Sequence, residues 1–187
     1  MVIPEKILSL IVLFSMPTAI AVGNLSYDDV PVEQPVLEEI VVQEVIDPDE
    51  LFCMSQNIYF EARNESDEGK RAVAHVTLNR VESPEFPDTV CDVVYQARLS
   101  QWHLQRGREV PLRNQCQFSW YCDGQSDVIH NWEKFEDIMD ISKAVMRGEY
   151  EDNTHGSTYY HANYVRPRWS RVFTQVAMID THIFYRP

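Results

Sequence analysis

The spacing of apolar residues changes character once along this chain, at Gly148, and no other feature limits the possible folds as much. Before that point Leu51, Met54, Ile58 and Ala62 recur every three or four residues, as do Trp132, Phe135, Met139, Ser142 and Val145. Such spacing lines residues along one face of a helix. Beyond Gly148, which is placed to stop a helix, the stretches Ser157 to Ala162, Val172 to Met178 and His182 to Tyr185 are rich in Tyr, Val, Thr, Ile and Phe. They read as short strands separated by Pro167 and Asp180. Helices followed by strands predict an α+β fold, a helical lobe packed beside a small antiparallel β lobe, and a cleft between lobes is the natural place for a ligand.

Within the helical part the first helix begins near Asp49 and runs to about Arg63. Ser66, followed by Asp67 and Glu68, has the character of a second helix start, with acids where the helix dipole favours them. Ala72, Val73 and Val76 face the core from that helix, which ends before Pro84 and Pro87. Asp88 is placed to cap a short helix carrying Val90, Val93 and Val94. From Arg98 to Cys122 the chain has Gly107, Pro111 and several bases, and reads as a long, partly ordered loop of the kind that carries function.

The net charge of -13 is unevenly distributed. Nine acids and no bases lie between Asp28 and Glu50, whereas residues 51–187 hold 19 acids against 15 bases, a net of about -4. Residues 22–50, with Pro31, Pro35 and Pro48, are therefore expected to be an acidic, extended linker rather than part of a core. Ahead of it, Lys6, the apolar run Ile7 to Phe14, Pro17 and Ala19-Ile20-Ala21 have the pattern of a secretory signal over residues 1–21, cleaved after about Ala21, or else of an uncleaved anchor. Export to the periplasm, envelope or exterior is the expectation, with a catalytic domain over 51–187. No stable membrane span is expected if the signal is removed, and the domain is expected to be a monomer. A pI near 4.8 with no basic stripe argues against nucleic acid as a partner.

Export permits disulfides, and Cys53, Cys91, Cys116 and Cys122 allow three pairings. The favoured one joins Cys116 to Cys122, closing a short loop around Gln117-Phe118-Ser119-Trp120, and Cys53 to Cys91 between two helices. A zinc site competes, although no CxxC pair occurs.

The segment Ile58-Tyr59-Phe60-Glu61-Ala62-Arg63-Asn64-Glu65-Ser66 carries two carboxylates one helical turn apart. A carboxyl group set among Ile58, Tyr59 and Phe60 is poorly solvated, which raises its pKa and suits it to hold a proton near neutral pH, as a general acid must. Asn64 and Ser66 signal a helix break, so Glu65 is expected to turn back toward the next helix, capping it or pairing with Arg80. Glu61 is then the stronger candidate for the acid and Glu65 the weaker, with a structural salt bridge as the alternative for both.

The patterns IYFEARNESDEGKRAVAHVTLNRV, FPDTVCDVVYQ, CQFSWYCDG, YYHANYVRPRW and THIFYRP occur in this order across nearly all of residues 51–187. As an ordered set they resemble the cell-wall hydrolases of the spore-cortex-lytic, SleB or CwlJ, type. That resemblance implies a lysozyme-like helical lobe beside a small sheet, and a glycosidase acting on peptidoglycan glycan strands without a cofactor. In many members the activity is that of a lytic transglycosylase, and Glu61 corresponds to the catalytic acid. It also favours Gln117, Phe118 and Ser119 as cleft lining. Tyr59, Tyr160, His161 and Trp169 complete the expected sugar-binding set: Tyr160 and His161 are adjacent and so face opposite sides of a strand, one of them the cleft. His182 reads equally as a core histidine. Arg98, Arg106, Arg108 and Arg113 are placed either to meet peptide-stem carboxylates or simply to be solvated.

Three alternatives remain at this level. The same acid could serve a hydrolytic muramidase or glucosaminidase. His155, His161, Asp180 and His182 could hold zinc in an amidase or peptidase, though they match no HExxH pattern and no metal is expected. Aromatic surfaces could also bind cell wall with no catalysis.

Overall fold

The computed structural model describes residues 45–187; the expected signal segment and nearly all of the acidic linker lie outside the described residues. Helix α1, Pro48–Ala62, opens with Asp47 accepting hydrogen bonds from the amides of Asp49 (2.8 Å) and Glu50 (3.4 Å), with Pro48 in the first turn, where a missing N–H costs nothing. The helix thus takes in Pro48 to Glu50. Helix α2, Asp67–Val81, is capped by Ser66 as expected. Helix α3, Val90–Val94, is capped by Thr89 rather than Asp88, because the Thr89 hydroxyl reaches the Asp92 amide at 3.1 Å.

The stretch read as a loop contains a hairpin. Strand β1, Ala97–Leu99, pairs antiparallel with β2, Pro111–Cys116, around the one-turn helix α4, Gln101–Leu104. The outer residues of β2 are Arg113, Asn114 and Gln115, all exposed, so the strand lacks the alternation that would betray it. A 3₁₀ turn, Ser119–Cys122, follows, and then helix α5, Trp132–Met146, which Gly148 ends at φ 70°.

The core is built on α1. Met54 and Ile58 are fully buried against Val73 of α2, Val93 and Val94 of α3, and Phe135 and Ile138 of α5. Each such side chain contributes about 1.5–3 kcal/mol by leaving water. α1 and α5 approach closely enough for the buried hydroxyls of Ser55 and Ser142 to bond at 3.0 Å. Cys53 is bonded to Cys91, tying α1 to α3, and Cys116 to Cys122, closing the loop after β2.

The C-terminal strands are β3, Tyr159–Ala162; β4, Thr174–Ile179; and β5, His182–Arg186. They form one antiparallel sheet in the order β3-β5-β4. Phe184 of β5 is buried against Ala72 and Val76 of α2, which joins sheet to helices.

A reciprocal clasp adds to that junction. The Asp180 carboxylate, in the β4–β5 turn, accepts from the Ser66 amide (2.9 Å) and hydroxyl (2.6 Å). In return, Glu65 accepts from the Thr181 amide (3.2 Å) and hydroxyl (2.6 Å). Glu65 is therefore neither a cap for α2 nor the partner of Arg80; it fastens the α1–α2 joint to the sheet. Gly69 is required beneath the clasp, since a Cβ there would collide with Asp180 Oδ2 and lie 2.9 Å from Glu65 Cβ.

Candidate active site

Glu61 lies in the last turn of α1 and faces a cavity of about 480 Å³ where the helices meet the sheet. α2 contributes Arg80, the disulfide-closed loop Gln117, Ser119 and Trp120, β3 Tyr160, His161 and Ala162, and β5 His182. Buried hydrogen bonds fix the loop: the Trp120 indole N–H donates to Asn57 Oδ1 (3.0 Å), Asn57 donates to the Thr77 hydroxyl (3.2 Å), and that hydroxyl donates to the Val73 carbonyl (3.0 Å). The Trp120 ring also stacks on Phe60 at 4.7 Å.

Burial raises the pKa of the Glu61 carboxyl, while the Tyr160 hydroxyl and the Arg80 charge pull it partly back. Tyr160 is itself pushed well above the usual phenol range, first by burial and then by the Glu61 charge, so it stays a neutral O–H donor. Its hydroxyl is directed at Glu61 without completing a full hydrogen bond to any group among the described residues.

Arg80 is 4% exposed. Its Nε donates to the Thr158 carbonyl at 2.8 Å, and the guanidinium sits over Phe118 (4.7 Å), Phe86 (5.3 Å) and Tyr159 (6.0 Å), leaving Nη1 with no partner among the described residues. His182 packs edge-on against Tyr160 at 5.1 Å, and its buried Nδ1 also lacks a partner among the described residues. Burial lowers the His182 pKa, which favours the neutral ring. Asp123 adds a second carboxylate to the lining, but its oxygens accept from the Gln125 amide (2.7 Å) and side chain (3.0 Å).

Of the residues expected from the sequence, Glu61, Gln117, Ser119, Tyr160 and His161 meet in this cavity, and three do not. Tyr59 lies two residues before Glu61, about 200° around the helix. It packs on Phe135 at 5.8 Å, accepts from the Asn131 amide at the start of α5, and borders a neighbouring cavity of about 540 Å³. Phe118 turns inward, 2% exposed, as alternation along an extended segment requires when Gln117 and Ser119 face out. Trp169 packs behind the sheet against Tyr159, His161 and Tyr185. His161 touches the cavity wall, yet both ring nitrogens are occupied, Nδ1 with the Ala162 carbonyl (2.9 Å) and Nε2 with the Tyr185 hydroxyl (3.1 Å).

The residues weighed for zinc are dispersed in their bonding: Asp180 serves the clasp and His161 is held by Tyr185. Sequence reading missed Arg80 as a cavity residue because an Arg in the last turn of a helix ordinarily answers the helix dipole. It also missed Asp123, for which no periodic signal exists.

Comparison with known proteins agrees with this architecture. The family described as cell wall hydrolase matches residues 64–185, a stretch that begins just after Glu61. A spore cortex-lytic enzyme of Oceanobacillus iheyensis is 28% identical over 131 residues, 70% of this chain and 39% of the relative. One of Halalkalibacterium halodurans is 30% identical over 132 residues, 70% of this chain and 33% of the relative. The chain thus spans well under half the length of these curated relatives. Among solved structures, the catalytic domain of the germination-specific lytic transglycosylase SleB from Bacillus anthracis superposes with a TM-score of 0.56 at 26% identity, covering 78% of this chain and all of that one. The SleB catalytic domain of Bacillus cereus gives 0.54 at 26% identity, covering 76% and 94%. With its α+β fold, its Glu61 cavity and this match over residues 64–185, the chain belongs to the cell wall hydrolase family.

Proposed function

We propose that this protein is an exported lytic transglycosylase that cleaves the bond between N-acetylmuramic acid and N-acetylglucosamine in peptidoglycan, with Glu61 as its general acid and base. The observation that carries the reading is a single desolvated carboxyl at the end of α1, facing the cavity and flanked by a neutral Tyr160 hydroxyl. Glu61 donates its proton to the leaving glycosidic oxygen as the bond to the anomeric carbon breaks. The resulting carboxylate then accepts the proton of the muramic C6 hydroxyl as that oxygen attacks the same carbon, closing a 1,6-anhydro ring. The sugar supplies its own nucleophile, so a second carboxylate is not needed, unlike in most glycosidases. Gln117 and Ser119, exposed on the disulfide-closed loop, are placed to bind sugar hydroxyls.

Asp123 supports a second reading, hydrolysis, because it gives the cavity the further carboxylate that activating a water would require. Both of its oxygens are already engaged by Gln125, which favours the first reading. Mass spectrometry of digested peptidoglycan with Asp123→Asn decides between them. The transglycosylase reading expects anhydro products at close to the wild-type rate; loss of about 10²-fold or more would make Asp123 the base.

A further inference from the structure

A second cavity, of about 540 Å³, adjoins the one that Glu61 faces and shares Phe60, Trp120 and Asp123 with it as walls. Tyr59, Arg63 and Asp127 also line it, so it holds both signs of charge beside aromatic rings. Those rings are not open platforms for a sugar. Tyr59 and Trp120 are buried, Phe60 is stacked on Trp120 at 4.7 Å, and the Arg63 guanidinium lies over the Tyr59 ring at 5.2 Å. What the cavity offers a ligand is its charge.

The charges do not satisfy one another. The ion pairs among the described residues are Lys70–Asp67, Lys143–Asp140 and Arg147–Glu149, and none includes Arg63, Asp123 or Asp127. Burial, and then the neighbouring Asp123 charge, raise the Asp127 pKa, as expected of a half-buried carboxylate that lacks a cation. Arg63 caps the end of α1 in an exposed position. A complementary ligand brings an ammonium to the two acids and a carboxylate to Arg63. Glycan hydroxyls and amides supply neither. The peptide stem that muramic acid bears on its lactyl group supplies both, a free amine on its diamino acid and free carboxylates, and it leaves the sugar beside the bond cut at Glu61. We infer that this cavity receives the peptide stem of the muramic acid at the cleavage position, with Asp127 and Asp123 holding its amine and Arg63 a carboxylate, so that the enzyme prefers stem-bearing to stem-free glycan. This rests on the peptidoglycan-cleaving function proposed above.

The test uses the full chain and three substrates: strands whose stems carry free amines, the same strands with those amines acetylated, and strands freed of stems by an amidase. Wild type is expected to show a kcat/KM about tenfold higher on the first than on the third, with most of that difference lost on the second. Asp127→Asn and Arg63→Gln should each shrink the preference to about threefold or less, and should cleave stem-free strands within about twofold of the wild-type rate, as intact fold and chemistry require. Acetylating the amine should cost Asp127→Asn nothing further while still lowering the rate of Arg63→Gln, because only Asp127 meets the amine. Equal rates with and without stems, a preference that survives both substitutions, or an equal loss on all three substrates would overturn the stem pocket. Binding of the same strands to Glu61→Gln separates the pocket from the reaction. Stem-bearing strands binding about tenfold tighter, with the difference shrunk by adding Asp127→Asn, would uphold the pocket. Absence of anhydro products from every substrate would instead overturn the proposed function.

Discussion

Glu61 and Glu65 lie one turn apart in sequence, and their surroundings are opposite. Glu65 accepts two hydrogen bonds from Thr181 in a clasp that Asp180 and Ser66 complete, so its oxygens are already occupied by structure. Glu61 faces a cavity, its carboxyl partly shielded from water and accompanied by a hydroxyl and a guanidinium that stop short of tying it down. A saturated carboxylate holds parts together, whereas an unsaturated, desolvated one keeps its proton available for chemistry. Adjacent residues of β3 repeat the contrast. His161 has both nitrogens bonded and belongs to the sheet, while the Tyr160 hydroxyl is left directed at the acid.

The largest expected effect that separates the two carboxylates is on turnover. Glu61→Gln should lower the rate of peptidoglycan digestion by about 10²–10⁴-fold, the usual contribution of a general acid, while the circular dichroism spectrum is unchanged. Glu65→Gln, assayed well below its melting temperature, should stay within about threefold of wild type, because it touches no reacting atom.

Stability should show the reverse order. Gly69→Ala forces a methyl group between Asp180 and Glu65, and overpacking of that kind costs about 1–3 kcal/mol. Thermal unfolding should show a fall of about 2–4 °C for each kcal/mol lost. Glu65→Gln removes only the charge from one half of the clasp and should cost about 1 kcal/mol.

The smallest effect is the most diagnostic of environment. The Glu61 pKa is raised in the fold, so ionising this group opposes folding. Glu61→Gln should therefore melt higher than wild type at pH 7, by a few degrees at most on the scale of about 2–4 °C per kcal/mol. The advantage should close as pH falls through the raised pKa and be gone below the ordinary glutamate range, where Glu61 is protonated in both the folded and the unfolded chain. A variant that melts lower than wild type at neutral pH would show that Glu61 is a structural charge like Glu65.

The helices carrying this comparison are legible in the sequence because their signals are local. Ser66 caps α2 whatever surrounds it, and Met54 and Ile58 mark the buried face of α1 by spacing alone. The three strands of the sheet are legible too, since β-branched and aromatic residues crowd into short runs. The hairpin of β1 and β2 is not, because a strand exposing Arg113, Asn114 and Gln115 has no apolar alternation to read. The site is legible in part for a related reason. Glu61 and Tyr160 stand out by chemical type and line the cavity, whereas at Tyr59 and Phe118 helix rotation and strand alternation carry neighbours of cavity residues into the core. Arg80 needed the tertiary fold, since only the packing of Phe86, Phe118 and Tyr159 around it shows that it is buried at the cavity wall.

The central claim is that one carboxyl and the sugar's own hydroxyl complete the reaction, and digestion in heavy-oxygen water tests it most directly. Wild-type protein should release fragments ending in anhydromuramic acid, each lighter by one water than a reducing sugar and free of heavy oxygen at the new end, and Glu61→Gln should release none. Reducing ends carrying heavy oxygen would contradict the account and place an attacking water in the Glu61 cavity.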